Sequence, residues 1–281
     1  MTDTGIIGLI LILVNIALSY KGFTNIAFYE GCKFEVDRIL IHKDYKRLVT
    51  SGFLHISWMH LIFNMLSLYA FSGAIESSLG GVKFLIIYFV SLVGGNLLTL
   101  FVNRNHGDYS SVGASGAICG IIFASIALFP GIGIGFFILP FSIPGWLYGI
   151  LYVLYSIYGI RSTKDNIGHE AHLGGALIGM TTALIMEPVA FMDNYLTILI
   201  IAIPTMAFIY LIITKPHLLL VDNFYFKNQS KHYSIDHKYN EEKNNNQREI
   251  DRILDKISTG GMQSLSMKEK ERLKQFSQKV R

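Results

Sequence analysis

Long apolar runs, each broken off by a short polar stretch, recur along the first three quarters of this chain. A bilayer's hydrocarbon core is about 30 Å thick and takes about 20 residues of helix to cross. Inside it, backbone N–H and C=O groups find no water, so each run must satisfy its own hydrogen bonds as a helix. Seven spans fit, at roughly 5–20, 58–77, 82–102, 113–130, 145–160, 170–188 and 195–213. The sequence therefore predicts an all-α, polytopic membrane helix bundle.

Charge supports this division. Only 16% of residues are charged, and 14 of the 24 Lys and Arg fall between Lys215 and Arg281. That pattern predicts a membrane domain over 1–214 and a polar, partly flexible tail over 215–281. The net charge of +4 is modest and mixed, and it does not point to nucleic acid. Cys32 and Cys119 fit no metal spacing and no disulfide framework. Cys119 reads as a small packing residue. The first run lacks a basic region before it and reads as a retained helix, the alternative being a cleaved signal peptide.

Between the first two spans lies a long connection, Lys21 to Ser57, with Phe23, Phe28, Tyr29, Phe34, Ile39, Leu40 and Ile41 along it. So apolar a segment either lies partly among lipid headgroups or folds as an ordered loop. In the tail, Asn240 to Gln247 reads as a linker. Ile250–Ile257 and Met267–Val280 read as a small helical hairpin, with Ser266 as cap and Glu269 at the third helical position.

Polar groups inside membrane helices are expensive, so each needs an account. Ser115 lies in Gly113-Ala114-Ser115-Gly116, at the start of the fourth span. Small neighbours admit another backbone or a substrate strand, although the tetrapeptide alone is explained as well by helix packing. His172 opens the sixth span, followed by Gly175 and Gly179 on one helix face. An imidazole with an ordinary pKa of about 6.5 can take and return a proton near neutrality. That glycine face can pack on the Gly113–Gly120 face of the fourth span and bring His172 to Ser115. His60 and Asn64, four residues apart in the second span, share a face and can donate hydrogen bonds to an oxyanion. A metal at His169, Glu170 and His172 fits poorly, because helical ligands are usually three or four residues apart. Spans two to six hold no Asp or Glu except Glu76, near the far end of span two, and Glu170 and Glu187 at the two ends of span six, so a Ser–His dyad is expected rather than a triad. The sequence calls for no cofactor and specifies no oligomeric state.

Together these clusters resemble the rhomboid family of intramembrane serine proteases. The family pattern of His-x-x-x-Asn, Gly-x-Ser-Gly and Ala-His-x-x-Gly-x-x-x-Gly is met in order by His60/Asn64, Gly113–Gly116 and Ala171–Gly179. The resemblance implies a six-helix core over about 47–190, plus one extra C-terminal helix of a kind seen in some bacterial members. It implies Ser115 as nucleophile, His172 as general base and acid, and His60, Asn64 and the Ser115 amide as the oxyanion site. Gly113, Gly116, Gly175 and Gly179 would serve close packing. Arg47 matches a Trp-Arg motif in the first loop, whereas Lys46 departs from it. Glu76 follows a Gly-Ala pair as in the family and reads as structural. Some members carry a Tyr four residues after the nucleophile that stacks on the histidine; this chain has Cys119 there.

The implied substrates are transmembrane segments of other proteins in the bilayer, and the implied location is a bacterial inner membrane. Orientation meets a conflict. The first, third and fifth loops, on the side of the site, hold Lys21, Lys33, Arg38, Lys43, Lys46, Arg47, Arg104, Arg161 and Lys164, and the opposite loops hold only Lys83. The positive-inside rule puts that side in the cytoplasm; the resemblance implies an outward-facing site. Rival readings are a catalytically silent relative that binds or chaperones membrane proteins, and a proton path using His60 and His172. The second would be favoured by inverted repeats, which the sequence does not display.

Overall fold

The computed structural model describes residues 5–129, 131–135, 142–162 and 168–214, with single positions between 253 and 273. The expected linker over 240–247 lies outside them, as does most of the expected tail hairpin. The chain divides into two units, Met1–Val221 and Asp222–Arg281.

The first unit is a helix bundle. Helix α1 (Ile6–Thr24) leads into a folded first loop of α2 (Ile26–Cys32), β1 (Phe34–Glu35), α3 (Val36–Leu40), α4 (Arg47–Thr50) and a 3-10 turn, Ser51–Phe53. There follow α5 (Trp58–Leu79), α6 (Gly81–Val102), β2 (Ser110–Ser111) and α7 (Ser115–Leu128). Next come β3 (Gly133–Gly135), β4 (Ser142–Pro144), α8 (Gly145–Ser162), α9 (His169–Met186) and α10 (Val189–Thr214). Each of the seven expected spans falls on a helix, giving the six-helix core and its extra C-terminal helix. Four of these, α1, α5, α6 and α10, are long and apolar enough to cross a membrane; α7 and residues 145–160 of α8 are shorter apolar helices.

Helix termini leave backbone groups without partners, and this fold fills several from distant elements. The Glu76 carboxylate, near the end of α5, accepts from Ile7 N–H (3.0 Å) and Gly8 N–H (2.9 Å) at the start of α1. A negative charge there also suits the helix dipole, so Glu76 acts structurally. The Asn194 amide of α10 donates to Ile126 O (2.7 Å) and Ala127 O (3.3 Å) at the end of α7.

The first loop is ordered around its own apolar cluster: Phe34, Val36, Ile39 and Leu48 are buried with Leu100 of α6. Arg47, 5% exposed, anchors it. Its guanidinium donates to Glu30 O (2.9 Å), Lys33 O (2.7 Å) and Asp44 Oδ2 (2.9 Å). A cation there suits the C-terminal carbonyls of α2. The loop reaches the residues ahead of α7 through the β1–β2 pairing, Phe34 with Ser111 and Glu35 with Ser110.

In the second unit, Glu269 N–H donates to Ser266 Oγ (3.3 Å) and Ser266 N–H to Glu269 Oε2 (2.7 Å). This reciprocal pair is the expected capping box. The Ser266 bonds, with Lys256 Nζ at 3.0 Å, pull the Glu269 carboxyl down to about 2.

Candidate active site

Helix α9 lies against both α6 and α7, and glycine decides how close it comes. A side-chain carbon on Gly175 would collide with the Gly116 carbonyl, and one on Gly179 with the Gly120 backbone. On the other side, a carbon on Gly95 of α6 would collide with Ala171 O, and one on Gly174 would sit 3.1 Å from Gly95 Cα. Backbone obstacles cannot swing aside as a side-chain tip can. These contacts therefore require glycine, and they draw the helix axes together along the segment that carries His172.

At the top of that contact, His172 Nε2 lies 2.6 Å from Ser115 Oγ, a hydrogen bond between residues 57 apart in sequence. Ser115 is the first residue of α7, preceded by Gly113 at φ 140°, a left-handed value that favours glycine. Gly113 N–H donates to Ser51 O (3.0 Å), which fixes the turn on the 3-10 segment. The first intrahelical bond of α7 runs from Ile118 N–H to Ala114 O. The Ser115 N–H, ahead of it, is one of the orphan donors at a positive helix end.

His60 borders the same space. A side-chain carbon on Gly113 would lie 2.9 Å from His60 Cε1, 3.1 Å from His60 Nε2 and 3.5 Å from Ser115 Oγ. Glycine leaves that space open, with an imidazole on one wall and the hydroxyl on another. Asn64 is buried one turn further into α5, and its amide donates to His60 O (2.9 Å), so its observed bond is to its own helix. His55 packs its ring 4.9 Å from His60, edge to face, and bonds Ser19 Oγ through Nδ1 (2.8 Å).

Depth follows from length. The 14 residues of α7 make a helix of about 21 Å, short of a bilayer core of about 30 Å. A helix this short cannot reach both faces of the core, so at least one of its ends lies below the membrane surface. Oxyanion donors become more effective as water is excluded around them.

Sequence reasoning missed the ring that faces His172. Tyr152 of α8 lies 6.2 Å from it, tilted by 37°, and its hydroxyl is 2.9 Å from Cys119 Sγ. Tyr148 and Tyr152 sit one helical turn apart, but Tyr155 and Tyr158 lie on the same helix, so spacing does not single out Tyr152. The Gly94-Gly95 pair of α6 likewise marks a close approach that the motif alone does not reveal.

Comparison with known proteins bears on the membrane domain and on the tail separately. The Rhomboid domain pattern matches residues 42–188, just over half of the chain. A family of unknown function (DUF6576) matches 233–279. The chain is 29% identical over 207 residues to Rhomboid protease AarA of Providencia stuartii, covering 66% of this chain and 73% of that protein. It is 30% identical over 156 residues to Rhomboid protease GlpG of Photorhabdus laumondii, covering 54% and 51%. With Rhomboid protein 1, mitochondrial, of Saccharomyces cerevisiae it shares 30% identity over 149 residues, half of this chain but only 43% of the yeast protein. The domain match covers the helices that carry Ser115 and His172 and the second span with His60 and Asn64, and this chain belongs to the Rhomboid family.

Proposed function

We propose that this protein is an intramembrane serine endopeptidase that cleaves transmembrane segments with a Ser115–His172 dyad. The observation that carries the reading is the 2.6 Å contact between Ser115 Oγ and His172 Nε2, part-buried at the start of a short helix. Ser115 Oγ attacks the scissile carbonyl while its proton passes to His172 Nε2. The oxyanion forms beside the Ser115 N–H and His60, with Asn64 one turn behind. His172 then protonates the departing amine, and water, activated by the same imidazole, hydrolyses the acyl-enzyme. A carboxylate is not needed to orient the ring where packing does so.

The substrate is a transmembrane helix, because the site lies within the bilayer. Its peptide bond is shielded while helical, so helix-breaking residues near the cleavage point ease access. Water reaches Ser115 through a cavity open to one aqueous face, which we place outside, with a bacterial inner membrane as the host. We assign residues 1–214 to this membrane unit and 215–281 to the tail.

The test is cleavage of a model transmembrane substrate by purified protein in liposomes. Wild type should cut it; Ser115→Ala and His172→Ala should not. Equal cleavage by those variants would exclude the dyad. A silent binding protein would bind the substrate and leave it whole in all three.

A further inference from the structure

The geometry points to Tyr152 of α8 as the residue that positions His172, held in place by Cys119. This rests on the proposed dyad and goes beyond it. Cys119 stands where a stacking Tyr occurs in some relatives. A thiol cannot stack, yet a ring is present from another helix. Tyr152 faces His172 at 6.2 Å and 37°, within the range in which aromatic pairs attract.

Tyr152 is itself fixed on three sides. It stacks on Tyr148 (5.8 Å, 22°), meets Phe123 edge to face (5.7 Å, 64°), and shares a 2.9 Å hydrogen bond with Cys119 Sγ. Cys119 is one turn below Ser115 on α7, and Tyr148 is one turn before Tyr152 on α8. The chain of contacts thus runs from the helix of the hydroxyl, through a thiol and a phenol, to the imidazole. A second ring, that of His169, lies 6.0 Å from His172 and nearly perpendicular to it. Two rings set roughly across one another limit rotation of the imidazole and keep Nε2 on Ser115.

Ring and hydroxyl have separable roles. The ring limits His172; the hydroxyl, through Cys119, limits the ring. Loss of the ring should misalign the base without altering the substrate's binding surface, which separates kcat from KM.

The experiment uses the full chain in liposomes, with a quenched-fluorescent transmembrane peptide as substrate and a fluorophosphonate as a probe of Ser115. Tyr152→Leu should lower kcat and the labelling rate roughly tenfold to a hundredfold with KM nearly unchanged. Tyr152→Phe should keep kcat within about threefold, because it retains the ring. Cys119→Tyr added to Tyr152→Leu should recover most of the loss by supplying the ring from α7. If Tyr152→Leu does not fold, Cys119→Ala carries the test, with labelling slowed roughly twofold to fivefold as the ring loosens. Wild-type kcat and labelling in Tyr152→Leu, or in Cys119→Ala where that is the test, overturn the positioning role while leaving the dyad standing. A wild type that neither cleaves nor labels at Ser115 overturns the dyad and this inference with it.

Discussion

Gly175 and Gly116 meet backbone to backbone, and one turn further on Gly179 meets Gly120 in the same way. The 2.6 Å hydrogen bond between Ser115 and His172 depends on that contact, because the two side chains leave opposite walls of the same seam. Gly175→Ala or Gly179→Ala puts a methyl group into a facing backbone, and α7 and α9 must part. We expect either variant to lose cleavage by at least a hundredfold, since a shift of about 1 Å can cost that much. Thermal unfolding should drop as well, by roughly 1–3 kcal/mol, the usual range for overpacking. A folded Gly175→Ala variant with wild-type activity would show that the seam does not set the geometry.

Much of this was legible because membrane helices announce themselves twice. Apolar length marked the seven spans, and the cost of polar groups in lipid singled out Ser115, His172, His60 and Asn64. The motif order then suggested which helices meet. Tyr152 escaped because an apolar helix with several tyrosines gives no clue to which one turns inward. That depends on the crossing of α8 with α7 and α9, which no local pattern encodes. The first loop was ambiguous for a related reason. Its apolar residues suit a membrane surface and a small core equally, until Leu100 of α6 completes the core.

His60 should act on the chemical step more than on binding. Its imidazole borders the space in front of Ser115 Oγ, where charge develops only in the transition state. His60→Ala should lower kcat by roughly 10²–10³-fold, the usual cost of one oxyanion donor, with little change in KM. Steady-state kinetics on the transmembrane peptide decides it. A rise in KM with kcat unchanged would move His60 to a substrate-binding role.

Arg47 carries three hydrogen bonds from a nearly buried position. Arg47→Ala leaves the carbonyls of Glu30 and Lys33 without their donor and should cost roughly 2–4 kcal/mol of stability. Arg47→Lys should recover only part of this, because one ammonium cannot reproduce the fork that spans two carbonyls and a carboxylate. Because this loop braces Ser110 and Ser111 just ahead of Ser115, activity should fall along with stability. Melting in detergent and cleavage rate, measured on the same samples, test both. Full stability in Arg47→Ala would exclude the anchor.

The same anchor makes the loop sensitive to acid. The hydrogen bond from Arg47, with Lys46 nearby, holds the Asp44 carboxyl below its ordinary value of 3.8. A carboxylate whose pKa is lower folded than unfolded adds stability above the unfolded value. That contribution fades as pH falls below about 4 and is gone once the folded carboxyl is protonated. Nothing comparable should occur between pH 5 and 8, where Asp44 is charged in both states. Asp44→Asn removes the titration but keeps a carbonyl oxygen able to accept from Arg47 Nε. We expect its melting temperature to be somewhat lower than wild type at neutral pH, and the gap to close as pH is taken below 4. Parallel curves for the two proteins across that range would mean that the Asp44–Arg47 bond contributes nothing to holding the first loop.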